Sequence, residues 1–187
     1  MLGKDVTFRG GLALLLLGAA MVGIAITLDE TAGRFINGAG GVLWFASAAI
    51  LLIAAIRTRP PAWLWLAFAG LTVLVAFVVT PSALIPTLLG FIPAGFLIAW
   101  LAPRDRLLWA ALVPAWYLPA HIGAAVTRAA IRSAMGNEAP LRTDPPPTAA
   151  FVPLLMVVCA LAGGYLAVNV RERYQKSTIA RPRRRVH

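Results

Sequence analysis

The chain has 187 residues, 60% of them hydrophobic and only 13% charged, with a formal net charge of +10. A soluble domain carries about 25% charged residues, so the composition excludes an ordinary water-soluble fold and points to one compact integral membrane domain. A lone cysteine, Cys159, excludes intramolecular disulfides and cysteine-based metal clusters, and reads as a small buried hydrophobe.

Six apolar stretches follow one another, each near the roughly 20 residues that cross a bilayer. The first, 10–28, comes after Lys4 and Arg9. Its apolar run exceeds the about 7–15 residues of a signal peptide, and Asp29-Glu30 follows without a small-residue cleavage site, so it reads as an uncleaved span. The second, 39–56, ends at Arg57 and Arg59, and Pro60-Pro61 then open the third, 62–79. Thr80-Pro81-Ser82 turns the chain into the fourth, 83–102, and Pro103-Arg104-Asp105-Arg106 leads to the fifth, 107–126. Pro145-Pro146-Pro147 is a stiff spacer into the sixth, 148–169. Within all six spans, His121 is the only Asp, Glu, Lys, Arg or His.

An even number of spans places both termini on one side, and the positive-inside rule says which. Lys4, Arg9, Arg57, Arg59, Arg104, Arg106 and the seven basic residues after Val170 lie on the terminus side; only Arg34, Arg128, Arg132 and Arg142 lie opposite. The expectation is therefore an all-α, six-transmembrane-helix bundle with both termini cytoplasmic in the cell membrane. Arginine outnumbers lysine, whose only instances are Lys4 and Lys176, which is compatible with a bacterial source. The membrane domain is 1–170. The basic tail, 171–187, is expected to be disordered beyond Gln175.

The fifth helix is the most unusual element. With Gly136-Asn137 as its stop, it runs from Leu107 to Met135 and projects outward beyond a bilayer core. Tyr117, His121, Arg128 and Arg132 fall along one stripe of it. Paired guanidinium groups suit phosphate or carboxylate, with His and Tyr as hydrogen-bonding groups deeper down, so the four are candidate ligand or lipid-headgroup residues. The simpler reading has the arginines anchor the helix by snorkelling, with His121 a neutral interhelical partner. Pro114 and Pro119 within the helix bear on the register.

Interior prolines, among them Pro93, Pro114 and Pro119, free helix carbonyls and suit cavity-lining helices. Small residues four apart recur, as in Ala19/Gly23, Gly95/Ala99 and Ala160/Gly164, and allow close helix approach. The outer-loop acids Asp29, Glu30, Glu138 and Asp144 lack metal-ligand spacing and read as solvated loop. Arg171, Arg173, Lys176, Arg181, Arg183, Arg184 and Arg185 form a cytoplasmic anionic-lipid contact. The six tryptophans read as interface belts.

No phosphate-binding Gly-rich loop, paired-His metalloprotease helix or buried nucleophile dyad is present, and bis-histidine haem within the membrane is excluded because the other histidine is His187. No cofactor or metal is expected, and nucleic acid is an unlikely partner. The favoured function is a non-enzymatic accessory or scaffold subunit, with membrane lipids and partner subunits as its contacts. The alternative is a transport component binding a small solute or lipid headgroup in a cavity lined by the fourth and fifth helices. In length and span number the chain is similar to the substrate-binding subunits of energy-coupling-factor transporters, a likeness of architecture and not of motifs. A minor alternative is a lipid-headgroup enzyme at the outer surface.

Overall fold

The computed structural model of the protein describes residues 6–78, 84–134 and 150–179. It comprises α1 (Val6–Ala25), α2 (Glu30–Arg57), α3 (Ala62–Val78), α4 (Leu84–Leu101), α5 (Arg106–Ala134) and α6 (Val152–Ile179). Among the described residues no strand occurs. Three helices, over Val6–Ala25, Glu30–Arg57 and Val152–Lys176, are long and apolar enough to cross a membrane; α3 and α4 are apolar but shorter.

Two helices exceed the bounds that bilayer thickness suggests. α2 begins at Glu30, not Ala39, because Asp29 caps it: the Asp29 side chain accepts from the Ala32 amide at 2.8 Å. Glu30 and Arg34 then form an ion pair one turn apart. Glu30, Arg34 and Asn37 thus stand on a helix and not in a loop. α6 continues to Ile179, so Arg171, Arg173 and Lys176 are helical and the helix runs past Gln175, beyond which disorder is expected from the sequence. Arg181, Arg183, Arg184 and Arg185, and the expected start of the last span at Thr148, lie outside the described residues.

Between lipid-facing helices there is no hydrophobic drive, so close packing and hydrogen bonds carry association. Glycine supplies the approach at two crossings. A Cβ on Gly18 of α1 would lie 2.9 Å from the Gly40 carbonyl oxygen of α2. On the other side of the bundle, a Cβ on Gly95 of α4 would fall on the Ala160 carbonyl of α6, and one on Gly163 on the Ile92 carbonyl. The small-residue spacing thus meets its expected use at the α4–α6 crossing.

α5 threads between these pairs and packs on α2, α3, α4 and α6. Leu108 through Ala115 are buried without interruption. Trp109 stands edge-on to Trp65 and Phe68 of α3, with ring centres 4.9 and 6.0 Å away. Trp44 and Trp109 are among the largest fully buried side chains, so these two are core residues and not members of an interface belt.

The helix ends sort into two groups. The α2–α3 turn (Thr58, Arg59, Pro60) and the α4–α5 turn (Pro103, Arg104) line one cleft with Trp109. The Arg171 guanidinium of α6 donates to the Trp100 carbonyl near the end of α4 at 3.1 Å. Gly11, near the start of α1, abuts Leu51 of α2. Arg9, Arg57, Arg59, Arg104, Arg106 and Arg171 therefore gather at one end. At the other lie the α1–α2 turn and the start of α6, where a Cβ on Gly23 would fall on the Ala150 carbonyl.

Candidate functional site

Tyr117 and His121 sit one helical turn apart on α5, and the structure brings them together. The Tyr117 hydroxyl lies 3.3 Å from His121 Nδ1, a long hydrogen bond whose donor follows the imidazole tautomer. The two rings stack, 5.3 Å between centres at 23°. Phe91 of α4 meets Tyr117 edge-on at 5.3 Å, and Tyr117 is only 3% exposed. His121 is half-buried. The pair marks where α5 leaves the packed bundle. Beyond it Ile122, Val126, Thr127 and Ile131 are exposed. Arg128 and Arg132 belong to the same continuous helix, and their side chains lie outside the described residues.

Sequence reasoning missed the residue that accommodates one of those prolines. Pro119 has no N–H, so the Ala115 carbonyl four residues earlier loses its helical donor. The Trp44 indole of α2 donates to that carbonyl at 3.0 Å and also reaches the Pro114 carbonyl at 3.2 Å. An orphan acceptor in α5 is thereby satisfied across the helix interface, and α2 and α5 are fixed in register. The proline spacing announces the free carbonyl, but no one-dimensional signal names a donor 71 residues away. Next to Tyr117, the Trp116 indole nitrogen is buried without a hydrogen-bond partner.

An apolar groove of about 320 Å³ opens beside α4, on its α3 side, lined by Leu71, Leu74, Leu89, Gly90, Pro93 and Leu97 among others. On the α5 side, α4 meets a helix face buried from Leu108 to Ala115.

At the α1–α2 end, Asp29, Glu30, Arg34 and Asn37 border an open cleft of about 450 Å³. Its acids are engaged: Asp29 caps α2 and Glu30 pairs with Arg34. Among the described residues no group of three His, Cys, Asp or Glu could hold a metal ion.

The opposite end is basic. Arg106 Nε donates to the Ala102 carbonyl at 3.2 Å. Burial, then repulsion from Arg171, push Arg106 below the ordinary arginine value, while Glu172 pulls it back. Of the proposed tail contacts, Arg173 and Lys176 project from exposed positions on α6 and Arg171 is half-exposed. No protein-family model matches the chain, and no curated protein or solved structure shows detectable similarity to it.

Proposed function

We propose that the chain is a multi-pass protein of the bacterial cell membrane, six helices crossing with both termini cytoplasmic, that serves as a non-catalytic accessory or scaffold subunit of a larger membrane complex. The observation that carries this reading is where the space lies. The buried half of α5 fills the bundle axis, whereas the apolar groove opens sideways between α3 and α4. A lateral apolar groove beside a proline within the continuous α4 suits a partner helix better than a polar solute. The orientation is supported by the charge at the helix ends, with arginines gathered at one end and the Asp29 and Glu30 carboxylates at the other.

Purification from native membranes in mild detergent tests the reading. A stoichiometric partner polypeptide is the expected result. The double variant Leu74→Trp with Leu97→Trp fills the groove from two half-exposed positions and should release that partner while the bundle stays folded. Unchanged partner retention would place the contact elsewhere.

A second reading is favoured by the Tyr117–His121 pair. On it, the chain belongs to a transport system, and Tyr117, His121, Arg128 and Arg132 bind an anionic solute or headgroup at the outer side. Its test is Arg128→Ala with Arg132→Ala. Loss of a co-purifying small mass with expression intact supports it, and unchanged retention leaves the arginines as anchors.

A further inference from the structure

The basic end carries a second kind of site. The α2–α3 and α4–α5 turns converge there, far apart in sequence, and each presents an exposed arginine to the same cleft: Arg59 from one turn and Arg104 from the other. The cleft measures about 110 Å³, small enough to select one oxyanion over a nucleotide. Its walls are Pro60 and Pro103, rings with no N–H to donate, so the polar character of the cleft comes from the two guanidinium groups and Thr58. Trp109, 1% exposed, closes the floor.

Three further observations give this cleft a ligand class. Among the described residues the only ion pair is Arg34–Glu30, at the opposite end of the bundle, so neither Arg59 nor Arg104 is neutralised by a carboxylate there. Cations outnumber acids around it, with Arg57, Arg106 and Arg171 on the same end against Asp105 and Glu172; Arg106 is pushed below the ordinary arginine value by burial first and then by repulsion from Arg171, with Glu172 opposing. Finally, Arg59 holds a left-handed backbone, φ 47°, a conformation in which glycine would be unstrained. The chain places a long cationic side chain there all the same.

Arg59 and Pro60 also border a second space, an open groove of about 450 Å³ lined by Leu52, Ile56 and Trp65. Trp65 of this groove touches Trp109 of the cleft, ring centres 4.9 Å apart. A polar notch sized for an oxyanion thus adjoins an apolar flank that runs along the bundle. That pairing is the shape of a phospholipid, headgroup first and acyl chain beside the helices.

We propose that Arg59 and Arg104 clamp the phosphate of an anionic phospholipid at the basic end, with an acyl chain along Leu52, Ile56 and Trp65. Guanidinium groups bind phosphate through paired, charge-assisted hydrogen bonds, which a point charge cannot reproduce. The site is distinct from the diffuse attraction of anionic lipid to the end of α6, and it rests on the reading that this end meets a membrane surface.

The test uses the full chain in mild detergent, delipidated and titrated with phosphatidylglycerol or phosphatidylcholine under native mass spectrometry. The wild type should hold one phosphatidylglycerol per chain and release phosphatidylcholine. Arg59→Gln with Arg104→Gln should weaken phosphatidylglycerol retention at least tenfold, and Arg59→Lys should fall between. Arg59→Gly removes the guanidinium while relieving the backbone, so its loss of lipid cannot be ascribed to misfolding. The variant Arg171→Gln, Arg173→Gln, Lys176→Gln should retain the lipid. Retention that follows this triple variant and ignores Arg59 and Arg104 would overturn the site. Inorganic phosphate that binds the delipidated chain as tightly as the lipid would overturn the acyl half and assign the cleft to a free anion. Recovery of the chain as a soluble protein without detergent would overturn the membrane reading and this site with it.

Discussion

The two halves of α5 belong to one unbroken helix and live in different surroundings. From Leu108 to Ala115 every residue is buried, wrapped by α2, α3, α4 and α6. From Ile122 to Ile131 every residue with a described side chain is exposed. The Tyr117–His121 pair sits at the border. The first half is a packing axis, built from small and apolar residues that let four helices close in. The second pairs exposed apolar side chains such as Val126 with Arg128 and Arg132, the composition of a segment that meets another phase or another protein. Core variation in the first half and surface variation in the second should therefore behave as if they belonged to different proteins.

The largest expected contrast comes from truncating one apolar side chain in each half. Leu112→Ala leaves a cavity at a fully buried position and should cost about 2–5 kcal/mol, read as a lower unfolding midpoint in denaturing detergent. Ile131→Ala, half-exposed, should stay within about 0.5 kcal/mol of wild type. Equal losses would erase the distinction between the halves.

A second experiment asks what holds the α5 axis in register. Trp44→Phe keeps the ring but orphans the Ala115 carbonyl, and should cost about 1–3 kcal/mol. In a Pro119→Ala background the helix regains the missing N–H, so the same substitution should cost markedly less. Additive losses in this cycle would mean that the indole serves packing alone.

At the border the effects shrink. Tyr117→Phe removes the long hydrogen bond to His121 and should cost about 0.5–1.5 kcal/mol, the range for a net hydrogen bond. A loss of several kcal/mol would make the Tyr117–His121 pair part of the axis. In the α2–α3 turn, Arg59→Gly should raise stability by about 1 kcal/mol by relieving the left-handed backbone, a change that leaves every α5 side chain in place.

Much of this arrangement is legible in the sequence because it is local. The apolar segments, the length of the fifth helix and the adjacency of Tyr117 and His121 follow from run length and a 3.6-residue period. The early start of α2 was also written locally, in the Asp29 cap and the Glu30–Arg34 spacing, but bilayer thickness argued for a later one and capping chemistry prevailed. α6 runs past Val170 because no glycine or proline interrupts the chain between Gly164 and Pro182, and a charged turn of helix is stable outside an apolar phase. What the sequence conceals is tertiary. The Trp44–Ala115 bond, the meeting of the Arg59 and Arg104 turns, and a groove on the α3 rather than the α5 side of Pro93 all depend on which helices become neighbours.

The most direct test of the central claim is native mass spectrometry of the protein drawn from its own membranes in mild detergent. An accessory subunit should emerge with a partner polypeptide in fixed stoichiometry, released by Leu74→Trp with Leu97→Trp. A lone chain carrying a reproducible small solute, insensitive to that double variant and lost with Arg128→Ala and Arg132→Ala, would contradict the scaffold role and move function to the outer half of α5.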